Sequence, residues 1–314
     1  MSTTSLTSRP GASVRPAAGR PARRARRRGP STWLAAPALA FFALFALVPL
    51  LGVVVLSFMS WDGLGTPQWA GTENWSAVVA DPVARNAFVL SVKVTVFSWL
   101  IQAPLSLLLG VFMAGRQRYR AVLSVLFFLP LLFSAAAVGI AFKSLLDPNF
   151  GVGSALGVDW LAKDWLGDPS LALGVVLFVI AWCFVPFHSL LYQAGVRQIP
   201  VSMYEAARLD GAGTVQQFFH ITLPQLKYTI ITSSTLMIVG SLTYFDLIFV
   251  LTGGGPGNAT RILPLDMYLR GFRSYDMGTA SVVAVFLVVL GLAISLGLNR
   301  LSGANRMDSQ MEGA

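Results

Sequence analysis

Six runs of mainly apolar residues dominate this 314-residue chain: Leu34–Phe58, Phe88–Ala114, Val122–Leu146, Leu171–Val196, Tyr228–Leu251 and Gly278–Leu298. A helix that crosses a bilayer needs about 20 such residues, and within hydrocarbon its backbone N–H and C=O groups must pair inside the segment. The runs therefore predict an all-α integral membrane protein with six transmembrane helices. The third run reads LSVLFFLPLLFSAAAVGIAF, far longer than a strand requires. Pro37, Pro49, Pro104, Pro130 and Pro186 fall inside runs. Neighbouring helices and Ser or Thr side chains can re-satisfy the carbonyls that such prolines free. The first run follows a basic stretch, as the core of a signal peptide does. At about 25 residues, with no small-residue cleavage site, it reads as a retained helix.

Composition supports a membrane protein and redirects the meaning of the charge. Only 12% of residues are charged, 55% are hydrophobic and the mean hydropathy is +0.66, whereas soluble domains carry about 25% charged residues. A net charge of +9 and a pI near 10.2 invite a nucleic-acid reading. Such a binder needs a basic face in water, and most of this chain avoids water. The cations instead segregate by side. One set comprises Arg9, Arg15, Arg20, Arg23, Arg24 and Arg26–Arg28 in the tail, then Arg116, Arg118 and Arg120, then Arg197, Arg208 and Lys227, then Arg300 and Arg306. The opposite connections hold only Arg85, Lys163, Arg261, Arg270 and Arg273. The richer side faces the cytoplasm, so both termini are expected there. Residues 1–32 read as a disordered basic cytoplasmic tail lying on anionic lipid, and 301–314 as a cytoplasmic C-terminal tail. Cys183 is the only cysteine, which excludes an intrachain disulfide and a Cys-rich metal site.

The longest cytoplasmic connection, residues 197–227, is RQIPVSMYEAARLDGAGTVQQFFHITLPQLK. Ser202 and Glu205 have capping-box spacing, which predicts a helix of about two turns over Met203–Leu209, stopped by Gly211. Thr214 and Gln217 repeat the spacing ahead of Phe218 and Phe219, and Pro224 suits the first turn of the next helix. Chemistry alone permits an amphipathic connector on the membrane surface. The detailed pattern goes further: Glu205-Ala206-Ala207, Asp210-Gly211-Ala212, Phe218, Ile221 and Leu223-Pro224 resemble the EAA loop of ATP-binding-cassette importer permeases, at its usual spacing and between the fourth and fifth of six spans.

The resemblance covers roughly residues 34–300. Leu251–Thr260 (LTGGGPGNAT), Tyr268, Phe272 and Gly278-Thr279-Ala280 are similar to carbohydrate permeases of the maltose and glycerol-3-phosphate type, on the MalF/UgpA-like side of the pair. It implies a type I importer permease fold, with a first helix at 34–58, a type-1 permease core at 86–300 and cytoplasmic coupling helices between helices 4 and 5. The core helices are expected near 88–114, 122–146, 171–196, 228–251 and 278–298. The family's EAA loop seats in a cytoplasmic ATPase subunit. The resemblance thus gives Glu205 a charge contact with a basic ATPase residue, Gly211 the turn, and Ala206 and Ala207 the small surfaces for docking, beside Asp210. Glu205 can also simply cap its helix. The implied partners are a second, MalG-like permease, two ATPase subunits that use ATP and Mg, an extracellular substrate-binding protein, a sugar and membrane lipid, but no nucleic acid. This chain itself binds no cofactor.

Buried polar groups in spans mark either a path or a helix contact. Asp246 is the only carboxylate in a run, close to Tyr244 and Ser241. The family draws sugar contacts from this part of the fifth span, so Ser241, Tyr244 and Asp246 are substrate-path candidates. Asp246 can accept from sugar hydroxyls, and Tyr244 can offer a hydrogen bond or a flat face. An ion pair or a place at an outer vestibule would also account for Asp246. In the fourth run Trp182, Phe184, Phe187 and His188 cluster about Pro186. Phe184 and Phe187 fall at substrate-side positions of the resemblance, Phe187 replacing a polar aromatic. Packing or lipid contact would explain these rings equally, and His188 suits a hydrogen bond between helices.

Gly253–Gly257 is no nucleotide loop, since Lys-Ser/Thr does not follow. It is either a plain outer turn or, by the resemblance, a surface that meets the binding protein. With no phosphate loop, metal cluster or nucleophile–base pair in the sequence, the chain reads as a non-enzymatic transport subunit. A stand-alone ion-coupled carrier would leave the EAA loop unexplained, and a membrane-bound enzyme would lack its catalytic set.

Overall fold

The computed structural model describes residues 35–115 and 117–302; the expected basic tail, and the C-terminal tail beyond Ser302, lie outside them. The chain divides into two units at Val48–Pro49. Helix α1 runs over Ala36–Leu56 and passes through a π turn at Ala43–Leu47, just upstream of Pro49. A proline lacks the N–H that the ladder needs and its ring crowds the carbonyl four residues back, so the ladder slips there. A two-stranded hairpin follows, Met59–Ser60 against Gln68–Trp69, then α2 at Glu73–Ala80.

Helix α3, Pro82–Met113, starts six residues before the second expected run. The polar residues there are recruited because Asp81 caps the helix, accepting from the Val83 amide at 2.8 Å, and Pro82 fits the first turn. After a short α6 at Val152–Leu156, helix α7, Ala172–Gln198, follows the fourth run closely, and α14, Met277–Ser302, the sixth. α3 and α7 lie against each other along a face of small and polar residues. Ser106 donates to the Val185 carbonyl at 3.3 Å and Gln193 to that of Met113 at 2.9 Å. A Cβ on Gly110 would stand 2.6 Å from Tyr192 Cβ. Close backbone approach of this kind is how helices associate where lipid removes the hydrophobic drive.

The third and fifth runs are not single helices. In the third, α4 (Arg118–Phe128) tightens into a 3₁₀ turn at Leu129–Leu132, and α5 (Ala135–Leu145) leaves at a bend of 99°. Pro130 removes a donor, Phe133 is extended, and Ser134 caps the new helix by accepting from Ala137 N at 3.2 Å. In the fifth, α11 (Lys227–Ser241) and α12 (Phe245–Leu251) meet at 50°. No proline is involved. Ser241 Oγ donates to the Ile238 carbonyl at 2.6 Å and Thr243 Oγ1 to that of Gly240 at 2.7 Å, drawing carbonyls away from the ladder. Among the described residues, four helices are thus long and apolar enough to cross a membrane, and the two bent pairs raise the number to as many as six.

The main core gathers Val94 of α3, Val138 of α5, Val176 and Ile180 of α7, and Leu247, Ile248 and Leu251 of α12. The break in the fifth run therefore sits inside the protein, where irregular backbone is tolerated.

Candidate functional site

The two helix breaks border one cavity of about 450 Å³. Leu131 and Ala135 line it from the third run, Gly240, Thr243, Tyr244 and Asp246 from the fifth, and Phe184, Phe187 and His188 from α7. Positions 184, 187 and 188 share a helical face, which is why one straight helix brings them together. Phe184 packs on Tyr244 with ring centroids 5.0 Å apart and planes tilted by 31°. Tyr244 is buried, 6% exposed, and its hydroxyl accepts from Gln102 Nε2 of α3 at 3.4 Å. Gln102 is not among the residues lining the cavity, so the hydroxyl bonds a group outside that lining. Asp246 is exposed and, among the described residues, forms no ion pair. His188 bonds Ser233 of α11 through Nδ1 at 3.0 Å, the expected contact between helices.

Two sequence candidates lie elsewhere. Ser241 is buried and shares a 2.6 Å hydrogen bond with Thr95 of α3, so it does not reach the cavity. Trp182 packs on Phe142 of α5, 5.3 Å away, on the other side of α7. Gln102 and Thr243 are the residues that sequence reading passed over. Both are polar groups inside an apolar run, the signal that drew attention to Asp246.

The 197–227 connection holds two short helices, α8 at Val201–Leu209 and α9 at Thr214–Gln217, before α10 at Leu223–Gln225. The predicted capping boxes are displaced. Pro200 immediately precedes α8, whose N-terminus has no side-chain cap; its fixed φ sets the entry, which puts Ser202 and Glu205 inside the helix. In α9 the box moves one residue back: Gln216 Oε1 accepts from Gly213 N at 3.0 Å, and glycine has no side chain to return the bond.

The stop is as expected. Gly211 takes φ +80, its N–H bonds the Arg208 carbonyl at 3.0 Å and that of Ala212 bonds Ala207 at 2.8 Å. This pairing closes a helix end on a left-handed residue, where glycine pays no Cβ penalty. Tyr204 ties α8 down through a 2.9 Å bond to Thr222. Glu205, Ala206 and Asp210 are exposed and Ala207 is half-buried. Leu209, one turn beyond Glu205, is 90% exposed, a bare apolar group that the helical spacing from Glu205 would have flagged.

After α12, the Leu251–Thr260 turn is held by its own hydroxyls. Thr260 Oγ1 lies 2.7 Å from Thr252 Oγ1 and donates to the Gly255 carbonyl at 2.8 Å. Arg261 reaches Asp266 of α13 (Leu263–Tyr268) at 2.7 Å, Arg270 bonds the same carboxylate at 2.8 Å, and Arg270 also pairs with Asp81 at the cap of α3. Burial would raise the Asp81 carboxyl. The Arg270 guanidinium, the Val83 amide and the charge of Arg261 outweigh it and hold the group below its usual range.

Several candidate spans, a cavity between two broken helices and a helical connector closed by Gly211 suit a membrane transport subunit. Residues 106–305 match the family described as the binding-protein-dependent transport system inner membrane component, and the chain belongs to that family. It is 35% identical over 267 residues to the probable ABC transporter permease protein YurN of Bacillus subtilis (strain 168), covering 83% of this chain and 91% of that one. It is 30% identical over 273 residues to the lactose transport system permease protein LacF of Rhizobium radiobacter, covering 83% and 90%. Among solved structures, a bacterial alginate ABC transporter in complex with its pentasaccharide-bound periplasmic protein superimposes with a TM-score of 0.76 at 22% identity, over 86% of this chain and 92% of that one. The chain is accordingly a multi-pass permease of an ABC transport system, and the stand-alone ion-coupled carrier is set aside.

Proposed function

We propose that this chain is the MalF/UgpA-like permease subunit of an ATP-driven importer that carries a sugar or oligosaccharide across the bacterial plasma membrane by alternating access. The observation that carries the reading is the cavity between the helix breaks: aromatic faces from Phe184 and Tyr244 beside one unpaired carboxylate, Asp246. Sugars present apolar C–H faces and rings of hydroxyls, and a few well-placed polar groups among flat apolar walls suit both. The relatives support the substrate class, since their names include lactose, arabinooligosaccharide and sulfoquinovosyl glycerol transport.

ATP and Mg are used by two cytoplasmic ATPase subunits, and this chain binds no cofactor and catalyses no reaction. A MalG-like permease completes the pathway, and an extracellular binding protein delivers the sugar. Both termini are cytoplasmic, as the arginine distribution supports. Glu205, Ala206, Ala207, Asp210 and Gly211 dock on the ATPase. A short helix locked by its terminal glycine moves as one body, so ATPase closure can shift the helices joined to it. ATP then acts by stabilising inward and outward states unequally. The test is Glu205→Arg in the assembled, reconstituted complex. We expect uptake to fall more than tenfold while the second permease and both ATPase subunits still co-purify; uptake equal to wild type would refute the docking role.

A further inference from the structure

Gln102 has no exposed surface and lies within α3, one of the helices long and apolar enough to cross a membrane. A buried amide has two donors and an acceptor to satisfy, and each group left unpaired in such surroundings is unfavourable. Its Nε2 reaches the Tyr244 hydroxyl at 3.4 Å, and its Oε1 has no partner. Reversing the amide would pair the oxygen with the phenol and strand the nitrogen instead. Apolar side chains fill the neighbouring core positions without this difficulty, so bulk packing does not account for a glutamine here.

What the amide does is hold Tyr244. That residue is the last of the break in the fifth run, where φ −73 and ψ 36 leave the helix. Phe184 covers one side of the ring. The hydrogen bond to Gln102 draws the hydroxyl toward α3 and away from the cavity.

We propose that Gln102 is a specificity-positioning residue: by holding the Tyr244 hydroxyl out of the cavity, it makes that ring an apolar platform for the C–H face of a carbohydrate. Polar selection is thereby left to Asp246 and Thr243. Without Gln102, the phenol is free to turn inward and compete for the hydroxyls of the ligand. The inference rests on the sugar reading above and goes beyond it by naming how the cavity chooses.

Gln102→Met keeps length and shape and removes the hydrogen bond, while Tyr244→Phe removes the hydroxyl from the other end. Two measurements on the reconstituted complex test the proposal. The first is the ratio of uptake rates for the two best-carried sugars of a panel of lactose, maltose, raffinose and arabinotriose, each presented by saturating binding protein. Gln102→Met is expected to change the ratio at least threefold, and adding it to Tyr244→Phe is expected to change nothing further. A fall in both rates with the ratio unchanged, or single effects that multiply in the double variant, overturns the proposal.

The second measurement is the melting temperature of the purified complex across the same four-member cycle of wild type, both single variants and the double variant. The two substitutions should be non-additive, and strict additivity overturns the Gln102–Tyr244 link without any transport measurement. Non-additive melting in a complex that carries no sugar of the panel would support the link and count against the sugar reading.

Discussion

Asp266→Asn would expose how the segment around α13 is tied to the start of α3. The carboxylate has no exposed surface, while Arg261 and Arg270 retain 20% and 14% of theirs. It accepts from Arg261 Nε at 2.9 Å and Arg270 Nε at 2.8 Å, one on each oxygen. Asparagine preserves the shape but turns an NH₂ toward one guanidinium and cancels no charge. Removing one partner of a buried pair costs about 3–5 kcal/mol. Arg270 still has Asp81 and Arg261 can turn to water, so the lower end, about 3 kcal/mol, applies. At roughly 2–4 °C per kcal/mol, the melting temperature of the purified complex should drop by about 6–12 °C at neutral pH. Removing the cation as well, in Asp266→Leu with Arg261→Met, should recover at least half of that drop. A shift below about 2 °C for Asp266→Asn, or no recovery in the double variant, would refute the assignment of Asp266 as the buried anchor.

Other outcomes follow from the same geometry. In Gly110→Ala the new methyl would meet Tyr192 Cβ at 2.6 Å and the Ser189 carbonyl at 2.7 Å, where carbon contacts want about 3.5–4.0 Å. A loss of about 1–3 kcal/mol is expected by thermal melting, with Gly174→Ala, which meets nothing within 4 Å, as the neutral control. Because Asp81 is held below its ordinary value, its contribution is present above the usual carboxylate range and is lost as pH falls through the folded-state value. Asparagine caps a helix about as well, so the gap in melting temperature between wild type and Asp81→Asn should be constant near neutrality and close in acid. Asp246→Ala with Phe187→Ala should reduce sugar uptake in the reconstituted complex; unchanged uptake and affinity would remove both from the path.

Much of the architecture was legible in the residues themselves. Runs of apolar side chains long enough to span a bilayer, the arginines gathered on alternate connections, and the glycine after Asp210 each act through local chemistry: transfer out of water, surface potential, and a backbone angle that a Cβ penalises. Those forces depend only on neighbours in the chain, so the sequence by itself determined the helical membrane class, the expected sidedness and the helix stop at Gly211.

The rotation and continuity of the helices were another matter. Both the third and fifth runs are apolar enough to be one helix each, and nothing in their hydropathy says which backbone groups Ser134, Ser241 and Thr243 will bind. Only the tertiary structure turned Ser241 toward Thr95 and Trp182 toward Phe142, while bringing Phe184, Tyr244 and Asp246 to one cavity with Gln102 behind it. In a chain that is apolar on nearly every face, the hydrophobic pattern cannot choose which face points inward. Close packing between helices and the pairing of buried polar groups made that choice.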